Sequence, residues 1–117
     1  FAARQQYNIP PERVIGVRTR LVDGVLGSEV IPPVPFRKGK TKAIYKHLQT
    51  APHIVVGNSA SDAPMLATAE HLSIAVQSFG PEHKGFHYRT EQKLARIARK
   101  SGWLVQTLVP EQATLPR

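Results

Sequence analysis

The stretch Ile54-Val-Val-Gly-Asn-Ser-Ala-Ser-Asp-Ala-Pro-Met-Leu66 carries the clearest fold signal in the chain. It begins as a short β-branched run that ends in glycine, which indicates a buried strand over residues 53–57. Small polar residues follow as a loop, and Ser61 or Asp62 can then cap a helix that has Pro64 in its first turn. The stretch therefore predicts a strand, a loop and a short helix in direct succession.

The segments on either side extend this alternation of strands and helices. Predicted helices cover residues 1–7, 40–49 and 88–101, and predicted strands cover 13–18 and 72–76, with 103–109 a strand or an extended tail. Asp23-Gly24 between apolar pairs predicts a two-residue hairpin, and the prolines of residues 31–35 predict a linker. This order is typical of an α/β fold with a parallel sheet.

Composition limits the chain to a single domain. Its 117 residues are 41% hydrophobic and 21% charged, which suffices for one core and is too little for two. The absence of cysteine excludes disulfides and cysteine-ligated metals, and no apolar run is long enough to span a membrane, so we expect a cytoplasmic protein. The sequence begins at Phe1 without a methionine, and we expect it to be part of a longer protein.

The net charge of +8 favours anionic partners. Two sets of basic residues contribute to it: Arg37, Lys38, Lys40, Lys42 and Lys46, and then, at helical spacing, Arg89, Lys93, Arg96 and Lys100. The second set is most simply a solvated helix face. A nucleic-acid-binding module, with Tyr45 or Tyr88 stacking on bases, is an alternative that no recognised motif supports, so we consider nucleic acid a less favoured partner than a small phosphorylated compound.

Asn58 and Asp62 stand four residues apart in the loop that follows the predicted strand. Ligands of α/β folds bind where loops leave the carboxyl ends of strands, and oxygen donors of this kind suit Mg²⁺. The alternative is that Asn58 only shapes the loop and Asp62 only caps the helix.

Lys40 follows Gly39 at the start of a predicted helix, where an ammonium group and backbone amides together favour a phosphate. The segment is not a Walker A loop, because that motif would need glycine at the position of Val34. We therefore predict phosphate binding without an ATPase.

The order of these motifs resembles the second half of the haloacid dehalogenase superfamily, nearest its phosphoserine-phosphatase-like members. The resemblance covers about residues 9–105 and rests on the Asp-Gly hairpin, on Gly39-Lys40-x-x-x-Ile44, on Gly57-Asn-Ser-x-x-Asp62-x-x-Met-Leu66, on Ser73-Ile-Ala-Val76 and on Gly102-Trp103. It implies a Rossmann-like, three-layer α/β/α core with a mainly parallel sheet, of which residues 1–117 would be the C-terminal part.

The resemblance also implies residue roles and a reaction. Lys40 would steady the phosphoryl group and the nucleophilic aspartate, and Ser61 would touch the substrate. Asn58 and Asp62 would form the Mg²⁺ loop, in which Asp62 would hold either the metal site or the lysine. Asn58 replaces the family's usual first aspartate, which implies weaker metal binding. The implied reaction is hydrolysis of a phosphomonoester through an aspartyl-phosphate.

The family's Asp-x-Asp nucleophile motif is absent, since Leu21 stands where the nucleophile should be and Asp23 fits a hairpin turn. We expect the missing half of the protein to supply the nucleophile, and we expect the isolated chain to be inactive.

A serine hydrolase is the enzymatic alternative, because Gly57-Asn-Ser59-Ala-Ser61 approximates a nucleophile elbow. Ser61 replaces the last glycine of that motif, and the possible acid and histidine partners lack a recognisable context. His83 and His87 have zinc-ligand spacing but no evident third ligand.

Overall fold

The computed structural model describes residues 2–80 and 82–108. Its elements follow the chain in the order α1 (Ala2–Tyr7), a 3-10 helix (Pro11–Arg13), β1 (Arg18–Val22), β2 (Val25–Ile31), α2 (Lys38–Leu48), β3 (Ile54–Gly57), a 3-10 helix (Ala60–Asp62), α3 (Ala63–Leu66), β4 (Leu72–Gln77), α4 (Phe86–Ser101) and β5 (Leu104–Thr107). The prediction of a mixed α/β fold with a parallel sheet is confirmed.

β1 and β2 form an antiparallel hairpin around Asp23-Gly24, as the sequence predicts. Both turn residues have positive φ, 51° and 78°, which is the conformation that a two-residue hairpin turn requires and that Asp-Gly adopts readily. Leu21 pairs with Leu26 and Val22 pairs with Val25 on either side of the turn. The prediction for this segment is confirmed to the residue.

β3, β4 and β5 form a separate parallel sheet in that order. Its core consists of one sheet face packed against the helices that connect the strands, with Val55, Ala75, Leu66, Leu94 and Ala98 buried together. Residues two apart along a strand share a face, so these contacts place α3 and α4 on the same side of the sheet. The helices thus cover one face and orient the loops at the carboxyl ends of the strands.

The opposite face of this sheet is apolar but open in the described residues. Ile54, Val56 and Leu104 lie on it and are 49–59% exposed. The three-layer α/β/α arrangement that the resemblance implies would need a further layer here. Within residues 2–80 and 82–108, there are two layers, namely the sheet and the helices α3 and α4 that cover one of its faces.

The predicted strand over residues 13–18 is wrong. Pro11–Arg13 form a 3-10 helix, the next four residues belong to no helix or strand, and β1 begins only at Arg18. A β-branched run becomes a strand only when another strand supplies its hydrogen bonds, and the described chain brings none to Val14 or Val17, which are exposed.

The other boundaries move by a few residues. The first predicted helix is confirmed at Ala2–Tyr7, with Asn8 left-handed at its end, whereas Phe1 lies outside the described residues. α4 begins at Phe86, two residues before its predicted start, and β5 confirms the strand alternative for 103–109 as far as Thr107. Val109 lies outside the described residues. None of the described helices has the length and apolar character needed to cross a lipid bilayer.

Candidate functional site

The candidate site lies where the loop after β3 leaves the carboxyl end of the sheet. The chain turns sharply there because Gly57 has no side chain: a Cβ at this position would lie 2.7 Å from Cβ of Asp62 and 2.8 Å from Cδ1 of Leu66. A 3-10 helix, Ala60–Asp62, completes the turn and leads into α3. The glycine therefore allows the loop to fold back onto its own strand.

Asp62 is the centre of the loop. Its side chain is buried, with a relative exposure of 5%, and one carboxylate oxygen, Oδ1, accepts a hydrogen bond from Nζ of Lys40 in an ion pair. The other oxygen, Oδ2, accepts the backbone amides of Asn58 at 3.2 Å and of Ser59 at 3.1 Å. Both oxygens are thus used by groups of the chain, which is how a buried carboxylate avoids an unpaired charge.

Ser59 caps the turn before α3. Its hydroxyl accepts the backbone amide of Ser61 at 3.3 Å, and the Asp62 carboxylate returns to the amide of Ser59 to complete a capping box. Asp62 occupies the position before α3 but makes no side-chain cap to that helix. The loop is therefore capped by Ser59 rather than by Ser61 or Asp62, because the 3-10 turn inserts before the α-helix.

Lys40 reaches Asp62 from the first turn of α2, across 22 positions of sequence. Gly39 makes this entry possible, since a Cβ there would collide with the carbonyl oxygen of Val34. The Lys40 side chain is 31% exposed, so it is partly sheltered and still accessible to a ligand. Lys38 and Lys42 are exposed, and Lys42 points about 200° away from Lys40 around the helix.

Two α4 residues that the sequence analysis gave no site role hold the loops in place. The hydroxyl of Thr90 accepts the amide of Ala60 at 3.0 Å and lies 3.1 Å from the hydroxyl of Ser59. Oε2 of Glu91 accepts the amides of Ser78 at 2.9 Å and Phe79 at 3.0 Å, which lie just beyond β4. Helix α4 thereby ties together the loops that follow β3 and β4.

One sequence signal could have revealed Glu91. It shares the buried helix face of Leu94, Ala95 and Ala98, at spacings of three, four and seven residues. A carboxylate in line with core residues is unusual and indicates a structural or chemical task. Its second oxygen, Oε1, has no hydrogen-bond partner in the described part of the chain.

A cleft of about 690 Å³ opens beside the loop. Its walls carry hydroxyls, cations and aromatic rings, namely Phe36, Arg37, Lys38, Ser59, Ala60, Ser61, Pro64, Phe86, Arg89, Thr90 and Lys93. Cations from both basic sets thus meet at one cleft, although they are about 50 residues apart in sequence. Tyr45 and Tyr88, the proposed stacking partners for a nucleic acid, do not line it.

Asp62 supplies the one carboxylate that the loop of residues 57–62 can offer to a Mg²⁺ ion. Both oxygens of Asp62 are already hydrogen-bonded, and its charge is paired with Lys40. Asn58 is exposed and offers one neutral amide oxygen. Mg²⁺ prefers carboxylate and phosphate oxygens, so this arrangement would need acidic oxygens from elsewhere to hold the ion.

The loop also shows how Ser59 is used. Its hydroxyl lies 3.0 Å from the hydroxyl of Ser61 and 3.1 Å from that of Thr90, and no described histidine hydrogen-bonds it. A serine nucleophile needs an adjacent base. In the described residues, the Ser59 hydroxyl therefore has hydroxyl groups as its side-chain partners and no histidine that could act as its general base.

No protein-family model and no curated protein matches this chain. The fold and the geometry of the loop are therefore the basis for any functional proposal.

Proposed function

We propose that this chain forms the phosphate-binding part of a phosphomonoester hydrolase that resembles the haloacid dehalogenase superfamily and acts through an aspartyl-phosphate. The observation that carries the proposal is the pairing of Lys40 with Asp62 at the carboxyl end of β3. A lysine at this edge of a parallel sheet lies where α/β proteins bind their ligands.

The ion pair supports phosphate binding because it fixes the ammonium without saturating it. An ammonium group has three hydrogen-bond donors, and Asp62 accepts one of them. The remaining donors can face a phosphoryl oxygen, and partial burial strengthens that interaction by limiting the screening by water. Lys40 would thus stabilise the negative charge that develops on the phosphoryl group during attack.

The cleft supports an anionic substrate. Arg37, Lys38, Arg89 and Lys93 border it, and Ser61 adds a hydroxyl beside the loop. Phe36 and Phe86 are more than half exposed at the same cleft and offer apolar contact to the rest of a substrate. Lys40 and Asp62 do not line this cleft, which adjoins their loop through Ser59 and Ser61. The proposed substrate is therefore a small phosphorylated compound whose phosphate contacts Lys40 and whose apolar or aromatic portion extends into the cleft.

The nucleophile would have to come from outside this sequence. Asp23 stands in the hairpin turn with a positive φ, so it serves the turn that Asp-Gly is suited to form. A matching Asp-x-Asp segment would also bring the acidic oxygens that Mg²⁺ requires and that the loop at Asn58 lacks. The nucleophile and the additional Mg²⁺ ligands would therefore come from the same Asp-x-Asp segment.

The first test is binding of inorganic phosphate to the 117-residue chain by isothermal titration calorimetry at fixed ionic strength. Lys40→Ala should weaken binding about tenfold or more, because it removes a charge-assisted hydrogen bond. Lys42→Ala is the matched control, since it removes the same charge from the exposed side of the same helix, and Lys38→Ala tests the cleft rim. Equal small losses in all three variants would show that the basic stretch only attracts anions.

The second test concerns catalysis. A longer form of the protein with an Asp-x-Asp segment upstream of Phe1 should hydrolyse a generic aryl phosphate, whereas the 117-residue chain should not. In that longer form Asn58→Asp should preserve or increase Mg²⁺-dependent activity, because a carboxylate binds the ion better than an amide. Turnover by the short chain that disappears in Asp23→Asn would contradict the assignment of the nucleophile.

The same cationic cleft makes single-stranded nucleic acid a second candidate ligand. Two exposed phenylalanines beside four cations are features of surfaces that stack bases and bind phosphates. Binding of arbitrary single-stranded DNA that weakens steeply with salt, and that Phe36→Ala and Phe86→Ala reduce, would favour this function. Phosphate binding that depends on Lys40 and is indifferent to both phenylalanines would favour the hydrolase.

A further inference from the structure

A second group of potential ligands lies at the opposite edge of the parallel sheet. His53 immediately precedes β3, and Glu70 and His71 precede β4. The strands are parallel and Ile54 pairs with Leu72, so their amino ends meet at one edge, far along the strands from Lys40 and Asp62.

The backbone holds these two segments together. The amide of Glu70 donates to the carbonyl of Pro52 at 2.9 Å, and the amides of His71 and Leu72 donate to the carbonyl of His53 at 3.0 and 3.1 Å. The Cα positions of the three ligand-type residues are thus fixed by the sheet, although their side chains are exposed. A bound ion would therefore find the backbone of the three residues already in position, and only their exposed side chains would need to rotate.

The side-chain distances fit a metal ion. One ligand atom from each of His53, Glu70 and His71 lies within 4.8 Å of the others. Nε2 of His53 is 3.4 Å from a carboxylate oxygen of Glu70. Two ligands of a tetrahedral zinc ion, each at about 2.0–2.1 Å from the metal, lie about 3.4 Å apart, so this pair already has the required separation.

The imidazole rings are also compatible with convergence on one point. Their centroids are 5.0 Å apart with planes inclined at 75°, an arrangement that lets the two rings present nitrogens from different directions. Modest rotation of exposed side chains would bring the third ligand atom into range.

We propose that His53, Glu70 and His71 form a binding site for a divalent transition-metal ion of the zinc class. Two imidazole nitrogens and one carboxylate oxygen are the ligand types that zinc prefers, whereas Mg²⁺ selects oxygen donors. Three protein ligands leave a fourth position for water. The site is independent of the proposed phosphatase function, since it shares no residue with the loop at Asp62.

Metal binding would tie β3 to β4 at their amino ends. β3 is the outer strand of the sheet, paired on one side with β4 in the described residues. A ligand that binds only the folded pair stabilises it, so zinc should raise the melting temperature and slow amide exchange at residues 54–56 and 72–74.

The test uses the 117-residue chain without an affinity tag. Zinc binding is measured by isothermal titration calorimetry, and Co²⁺ is used as a second probe because a four-coordinate nitrogen and oxygen site gives it intense visible absorption. We expect one ion per chain, undisturbed by excess Mg²⁺. His53→Ala, His71→Ala and Glu70→Gln should each weaken binding about tenfold or more, since even the loss of a supporting residue around a metal costs about 10–100-fold.

His83→Ala is the matched control. His83 also pairs with a neighbouring glutamate, its Nδ1 lying 3.0 Å from Oε1 of Glu82, and both side chains are exposed. Among the described residues, no third ligand of this kind joins that pair. His83→Ala should therefore retain zinc binding and its thermal shift.

All four substituted residues are exposed, so circular dichroism should show unchanged secondary structure. The absence of stoichiometric zinc binding would overturn the proposal. So would equal losses in His83→Ala and His53→Ala, because they would show binding by scattered surface histidines.

Discussion

The two ends of the described chain differ in what holds them in shape. No residue in positions 2–37 is buried, whereas every buried residue of the described chain lies between Ala43 and Ala98. The first region contains α1 and the hairpin, and its form follows from local turn chemistry. The second contains the parallel sheet, and its form follows from burial of β3 and β4 against α3 and α4.

The hairpin shows that a local turn sequence can set the conformation of a segment without contributing much to the stability of the protein. Asp23-Gly24 fixes the hairpin register, and one exposed ion pair, Arg20 with Glu29 at 2.8 Å, connects the strands further along. Such a pair contributes little, and an isolated two-stranded hairpin is only marginally stable. We therefore expect the free energy of unfolding to depend almost entirely on the second region.

The largest difference should come from leucines in the two regions. Leu94→Ala removes a fully buried side chain from the core and should lower the free energy of unfolding by about 2–5 kcal/mol. Leu26→Ala, at a residue that is 77% exposed, should change it by less than about 0.5 kcal/mol. Urea denaturation followed by circular dichroism measures both, and similar losses would refute the contrast.

The next largest loss of stability should come from removing the hydrogen bonds that the Asp62 carboxylate accepts. Asp62→Ala leaves the amides of Asn58 and Ser59 without their acceptor and should cost about 3 kcal/mol. Asp62→Asn keeps an oxygen for these amides and should cost less, while it loses the charge partner of Lys40. If both variants unfold at the same urea concentration as the wild type, the loop does not depend on this carboxylate.

A pair of glycines gives a smaller and equally direct comparison. Gly57→Ala forces a Cβ against Asp62 and Leu66 and should destabilise the protein by about 1–3 kcal/mol. Gly16→Ala meets no atom within 4 Å and does not have a positive φ, so it should be neutral or slightly stabilising. Thermal unfolding of the two variants side by side checks the sign of each change.

The smallest global effect should follow from Gly24→Ala. Its φ of 78° disfavours alanine, so the substitution should disturb the hairpin locally. Because the hairpin contributes no buried residue, the unfolding midpoint of the sheet should not move. Amide exchange should become faster in residues 18–31 alone; faster exchange in β4 would show that the two regions are coupled.

Particular elements show where prediction from sequence worked. The hairpin, α4 and the strands β3 and β4 follow from turn residues and from apolar periodicity, which are local properties of the chain. The strand predicted at 13–18 was wrong because pairing is a property of two segments, and the β-branched residues Val14 and Val17 have no partner in the described chain.

The candidate site was predictable in part. The loop residues Asn58, Ser61 and Asp62 stand at the end of a strand, as the pattern indicates, and Lys40 was selected by its place after Gly39. Their roles in phosphate and metal binding stay predictions. The support from Thr90 could not be foreseen, because its hydrogen bond to Ala60 joins residues 30 positions apart.

The sequence by itself determined the alternation of helices and strands from α2 to β5, the type of hairpin turn and the strongly basic charge, because each depends on neighbouring residues or on composition alone. Only the tertiary structure decided that Lys40 meets Asp62, that cations from two distant segments border one cleft, and that His53 lies beside Glu70 and His71. These are contacts between segments far apart in the chain. Burial of the core against the parallel sheet brings such segments together, and no local pattern encodes the distance between them.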